Sequence, residues 1–250
     1  NEWREYDLAS RASRVLKKRE IPSGYEMEQY ETRRIEATAS DGTRIPITLV
    51  HKKGIKMPAP LVLDASGCYG ISNDPHFSAA RISLLDRGVV FAIAHVRGGG
   101  EFGEDWHLAG SRRNRRNTFT DYLSCALHLI HNEKITSKGN IIATGASAGG
   151  TLMGYVANHN MGLFRAIVAK VPSVDKLSDL EDGTSGGAEA HKDELGDPNN
   201  REDYNYIKGY DPIRNVARRD YPPMLVTTGF NDTRVLYHAP MKWVATLRHE

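Results

Sequence analysis

The segment Ile141-Ile142-Ala143-Thr144-Gly145-Ala146-Ser147-Ala148-Gly149-Gly150 sets a serine in the pattern G-x-S-x-G. An apolar run precedes it, and Thr151 to Ala157, a stretch able to form a helix, follows. That order suits a nucleophile elbow, in which a strand ends, the chain turns sharply and the serine projects at the turn. Glycines at 145 and 149 fit because a side chain at either would collide with the neighbouring strand or helix. The backbone N–H of Ala148, at the start of the helix, would face an oxyanion formed on a substrate attacked by Ser147. The chemistry implied is acyl transfer by a serine hydrolase.

The elements that must position Ser147 alternate along the chain. Arg33 to Thr38 and Arg44 to His51 read as a hairpin around Asp41-Gly42. Leu61 to Leu63, Val89 to His95, Ala166 to Ala169 and Met224 to Thr228 read as further strands. Helices are expected from Ser78 to Asp86, from Thr118 to His131, with Thr118 and Asp121 as its start signal, and from Pro240 to Arg248. The fold class is therefore α/β, with a doubly wound, mostly parallel sheet, and ligands belong at the carboxyl ends of its strands. That rule selects Asp232, just past the strand ending at Thr228. In α/β-hydrolases the triad runs Ser, then Asp or Glu, then His, and the carboxylate holds the imidazole in the correct tautomer. A cap on the helix containing Met241 to Arg248 is the alternative role for Asp232.

Composition excludes other classes. The 250 residues carry 33 basic and 31 acidic side chains, a balance that points to neither nucleic acid nor a membrane surface. Two cysteines, Cys68 and Cys125, make no disulfide framework and read as buried thiols. There is no apolar run of membrane-spanning length, and the first twenty residues are charged rather than signal-like, so a cytoplasmic location is expected. No spacing suits a metal, and no cofactor is expected.

Several motifs agree, in order, with one family. His95-Val96-Arg97-Gly98-Gly99-Gly100-Glu101-Phe102-Gly103, Trp106-His107 and Asn117 to Asp121 resemble the catalytic domain of prolyl oligopeptidases, as do the serine elbow, Val171-Pro172, Tyr221-Pro222 and Thr227-Thr228-Gly229. In detail the chain is most similar to the oligopeptidase B branch, which cleaves short peptides after basic residues. The resemblance implies an α/β-hydrolase fold from 31 to 250, a serine peptidase acting on short peptides, and a preceding β-propeller, with residues 1–30 as its last strand and linker. It also implies a catalytic histidine beyond residue 250, past one more helix and strand. Only His238 and His249 follow Asp232, and both read as surface residues. The 250 residues alone are then expected to be inactive.

The same resemblance marks the rest of the site. Ser66 stands where a tyrosine hydroxyl is expected to complete the oxyanion hole, with Tyr69 as a substitute. Two pocket glutamates fall on His191 and Asp193, an aromatic falls on Ser173, and an acidic partner for the substrate's second residue falls on Asp74, its companion on His76. These positions carry the expectation of cleavage after Arg or Lys. A solvated acidic loop over 176–203 is the competing reading. Arg112, Arg113, Arg115 and Arg116 read as a solvated face or a propeller contact, the 95–100 stretch as a glycine-rich turn, and Gly183 to Gly187 as a flexible insertion. An esterase, an acylaminoacyl-releasing hydrolase and a non-catalytic binding relative remain as alternatives.

Overall fold

In the computed structural model, which describes residues 2–21, 24–159, 162–182 and 188–250, the chain opens with two strands apart from the rest. β1 (Glu2–Tyr6) and β2 (Ser13–Lys18) pair antiparallel, and every residue of both is exposed. The main sheet begins with β3 (Tyr30–Thr38) and β4 (Arg44–Lys52), an antiparallel hairpin turned at Asp41-Gly42, where the Asp41 carboxylate accepts the Thr43 N–H at 3.0 Å. β5 (Leu61–Asp64), β6 (Val90–Ala94), β7 (Ile141–Ala146), β8 (Phe164–Lys170) and β9 (Met224–Thr227) complete seven strands in the order β3-β4-β6-β5-β7-β8-β9. β4 meets β6 antiparallel, and every pair from β6 to β9 is parallel. Leu61, Val62 and Leu63 are all buried, so both faces of β5 are covered, as expected for a central parallel strand.

The connections are helical: α1 (Ala79–Leu85), α2 (Glu104–Leu108), α3 (Arg115–His131), α4 (Ala148–Asn158), α5 (Lys176–Asp182), α6 (Ala188–Leu195), α7 (Arg201–Lys208) and α8 (His238–His249). α3 buries Phe119, Tyr122, Cys125, Ala126 and Leu129 on one stripe, packed across β3 and β4 and against α4. The Tyr122 hydroxyl donates to the Leu63 carbonyl at 2.8 Å, so its polar end is satisfied within the core. Cys68 and Cys125 are both free and buried, as expected. Among the described residues no helix is long and apolar enough to cross a membrane.

Three expectations need correction. Thr118 and Asp121 do not start α3, which begins at Arg115; both are buried inside it, facing the loop after β6. Asp121 there accepts the Arg97 N–H, Nε–H and Nη2–H at 3.1, 2.9 and 2.6 Å, while Arg97 Nη1 reaches Asp41 at 2.6 Å. The described part of 176–203 is not a solvated loop, since α5, α6 and the start of α7 occupy it. The expected insertion at Gly183 to Gly187 lies outside the described residues. The four arginines are a solvated face only in part: Arg112, Arg113 and Arg116 are exposed and Arg115 is not. Arg115 is buried, with its Nη1 donating to the Gly67 carbonyl, and Arg113 pairs with Glu202 and Asp203 of α7. The cluster ties the start of α3 to the helical layer over the strand ends.

Two consequences can be measured. Asp121→Ala strands a buried guanidinium and should cost about 3–5 kcal/mol in urea denaturation, whereas Asp41→Ala, half exposed at the far end of Arg97, should cost about 1 kcal/mol or less. Asp211 is fully buried, and its carboxylate accepts the Leu177 N–H at 3.0 Å, holding the first turn of α5. Burial pushes its carboxyl up from 3.8 to about 6. A native value above the unfolded one means that stability is full below pH 4 and falls as pH rises through 6, by about 3 kcal/mol for a shift of this size. Asp211→Asn should therefore gain on the parent between pH 4 and 7, and parallel pH profiles would refute this account.

Candidate active site

Ser147 links β7 to α4 with φ 54° and ψ −115°, a conformation that side-chain-bearing residues adopt only at a cost of about 1–3 kcal/mol. Neighbouring backbone holds it there. The Ser147 N–H donates to the Lys170 carbonyl at 3.0 Å, and its own carbonyl accepts the N–H groups of Gly150 and Ser173 at 2.8 and 3.1 Å. A Cβ on Gly145 would lie 2.5 Å from the Gly149 carbonyl oxygen, and one on Gly149 would lie 2.6 Å from that of Ala65. The elbow glycines are thus required by close backbone approach. Ser147 is exposed at the strand's carboxyl end, and Ala148 opens α4 beside it.

The exposed serine faces a cavity of about 410 Å³. Ser66, Tyr69, Ala148, Ser173 and His191 line it with Ser147, so five of the other sequence-selected positions share one space with that serine. Asp232 lies in the loop between β9 and α8. Its Oδ1 accepts the N–H groups of Val235 and Arg234 at 3.0 and 2.8 Å, and these bonds hold its carboxyl below the usual range. It does not cap α8, which begins at His238. Arg234, Val235 and Leu236 of the same loop line the cavity; Asp232 itself does not. His238 and His249 both lie outside the cavity lining, on α8, with His249 exposed. His191 is the histidine at the cavity, with its Nδ1 2.7 Å from the Tyr69 hydroxyl.

The expected substrate carboxylates are not brought in. Asp193 is 85 % exposed and lies 3.6 Å from Arg112 on the outside of α6, and Asp74 is exposed in the loop before α1. Neither lines the cavity. One residue further along α6 the chain turns inward. Glu194 is buried, accepting the Tyr69 N–H at 2.9 Å and the Cys68 thiol at 3.1 Å, with His107 Nε2 at 2.6 Å. It clamps the loop after β5 that carries Ser66 and Tyr69. Burial pushes the Cys68 thiol up to about 12, leaving it protonated and unreactive although it lines the cavity.

Besides Arg234, two charged lining residues were not anticipated from the sequence, Lys176 and Asp179. They sit three apart on α5, immediately beyond the carboxyl end of β8, and that spacing was the available signal. Asp179 accepts the Ser173 hydroxyl at 3.2 Å. Burial lowers the Lys176 pKa, against the field of Asp179. Among the described residues no group of His, Cys, Asp or Glu is placed to hold a metal ion.

Comparison with known proteins agrees with this geometry. A model described as the prolyl oligopeptidase family matches residues 75–250. Protease 2 of Moraxella lacunata is 44% identical over 91% of this chain and 33% of its own length. Dipeptidyl aminopeptidase BI of Pseudoxanthomonas mexicana is 42% identical over 94% and 33%. Oligopeptidase B of Leishmania major superposes with a TM-score of 0.94 at 38% identity, covering 99% of this chain and 35% of that one. Oligopeptidase B of Trypanosoma brucei, solved with covalently bound antipain, gives 0.94 at 39%, with the same coverage. The chain spans about a third of the length of these relatives. With a serine elbow on a mostly parallel sheet and a family match over most of its residues, the chain belongs to the prolyl oligopeptidase family, with an α/β-hydrolase fold.

Proposed function

We propose that Ser147 is the nucleophile of a serine peptidase acting on short peptides, with Asp232 as the triad acid. The observation that carries this reading is the strained Ser147 backbone at the mouth of the 410 Å³ cavity. Ser147 Oγ attacks the peptide carbonyl, and the Ala148 N–H holds the developing oxyanion. The base that takes the hydroxyl proton and returns it to the leaving amine is a histidine outside residues 1–250, oriented by Asp232. An acyl-enzyme forms on Ser147 and water releases it. The relative with covalently bound antipain supports covalent chemistry in this fold. The exposed β1–β2 pair is read as belonging with a preceding β-propeller, and residues 31–250 as the catalytic part.

A second reading has specific support. Ser66 offers only a short hydroxyl where the resemblance calls for a tyrosine, and the two pocket glutamates are replaced by His191 and an outward-facing Asp193. Both facts suit a relative that binds peptides without cleaving them. Cleavage after Arg or Lys has one acidic cavity residue in its favour, Asp179, while Asp193 and Asp74 lie outside.

In the full-length protein a fluorophosphonate should label Ser147, and Ser147→Ala should abolish labelling; absence of labelling in the parent favours the binding reading. Asp232→Asn should lower kcat about 10⁴-fold, while the 250 residues alone, without a histidine at Ser147, should show no measurable amidase activity. If Ser66 leaves the oxyanion hole one donor short, Ser66→Tyr should raise kcat, towards the 10²–10³-fold that one such donor typically supplies. An unchanged kcat would mean that the hole is complete without it.

A further inference from the structure

Lys176 is 5 % exposed, yet it lines the cavity beside Ser147. No carboxylate among the described residues lies within ion-pairing distance of its ammonium. Asp179, one turn along α5, is the only carboxylate in the lining among the described residues, and it is engaged by the Ser173 hydroxyl. Arg234 adds a second cation at the rim; behind Lys176 the buried Arg115 repels it and the buried Asp211 attracts it, Asp211 lying beyond ion-pairing distance. His191 is held by Tyr69. The remaining walls are largely apolar, including Leu180 and Leu195. A lysine this buried, lining a cavity with no carboxylate at pairing distance, is incompletely compensated for its desolvation, and a ligand carboxylate would complete that compensation.

We infer that the cavity takes an acidic side chain, glutamate or aspartate, at the residue preceding the scissile bond, with Lys176 as its charge partner. The inference rests on the peptidase reading for the position of the scissile bond, but the cavity's charge stands on its own. It departs from the basic preference that the family resemblance implies. The two pocket positions that the resemblance marks carry a histidine and an outward-facing aspartate, while the cavity holds a lysine that the resemblance did not single out. A substrate arginine would meet Lys176 and Arg234 with only Asp179 to offset them.

The test uses the full-length protein. A fluorophosphonate probe reports whether Ser147 is a live nucleophile, and protection by acetyl-Ala-Glu-amide, acetyl-Ala-Arg-amide and acetyl-Ala-Phe-amide reports what the cavity accepts. Calorimetric binding of the same peptides repeats the comparison without requiring catalysis. The glutamyl peptide should bind and protect best, and Lys176→Met should weaken it about 10- to 100-fold, while Asp179→Asn should strengthen it. Lys176→Met removes a buried charge and is expected to fold, and circular dichroism verifies this; the parent's own ranking of the three peptides decides the matter if it does not. Tightest binding of the arginyl peptide, or no ranking among the three, overturns the inference even where Ser147 labels. A protein that does not label yet binds the glutamyl peptide best overturns the peptidase reading and leaves the cavity's preference for an acidic side chain standing.

Discussion

The approach of Gly149 to the Ala65 carbonyl, too close for any side chain, is the contact from which the site is organised. It presses the first turn of α4 onto the loop after β5. On the other flank, Gly150 packs against Pro172, where an added Cβ would lie 2.3 Å from the proline Cα. Three parallel strands in register, β5, β7 and β8, thereby deliver Ser66, Ser147 and Ser173 to one rim. Ser147 cannot relax its left-handed backbone without opening both contacts. The strain is held by packing on two sides, and hydroxyl exposure is the outcome.

Further along that loop, toward Tyr69, the cavity wall is held by charge as well as by backbone contact, the Gly70 N–H donating to the Gly98 carbonyl at 3.1 Å. Glu194, Arg115 and His107 sit beneath the loop that carries Ser66 and Tyr69, and each is tied to a neighbour: Glu194 to three donors, His107 to Glu194, and Arg115 to the Gly67 carbonyl. Removing one member of such a set leaves the others desolvated and unmatched, so the wall holds its position as a unit. Lys176 differs, because its ammonium faces the cavity without a carboxylate at pairing distance. An apolar side chain of similar volume would cost the fold less. A charge kept under those conditions makes sense where a ligand completes it.

Much of the scaffold was legible in the sequence because its signals are local. Asp41-Gly42 specifies a hairpin turn, the apolar runs of β5 and β6 specify strands covered on both faces, and the Phe119 to Ile130 periodicity specifies α3. The serine elbow was legible for the same reason, since its geometry is set within six residues. What failed was whatever depended on which way a side chain points in a helix of weak pattern. Asp193 and Glu194 are adjacent acids, but a step of 100° around α6 sends one to solvent and the other into a buried clamp. Charge alone does not distinguish them. Arg115, buried among three more exposed arginines, shows the same limit.

The same helical geometry explains why Lys176 and Asp179 share a wall. Five residues separate β8 from α5, a connection whose Ser173 N–H is bonded to the Ser147 carbonyl. Asp211 fixes the first turn of α5 from below through the Leu177 N–H. With both the approach and the first turn fixed, residues 176, 179 and 180 have one face available, and it looks into the cavity. Ser147 and the charged wall are thus coupled through a short stretch of backbone. A substitution that moves α5 shifts the recognition surface relative to Ser147, and specificity and rate should then change together.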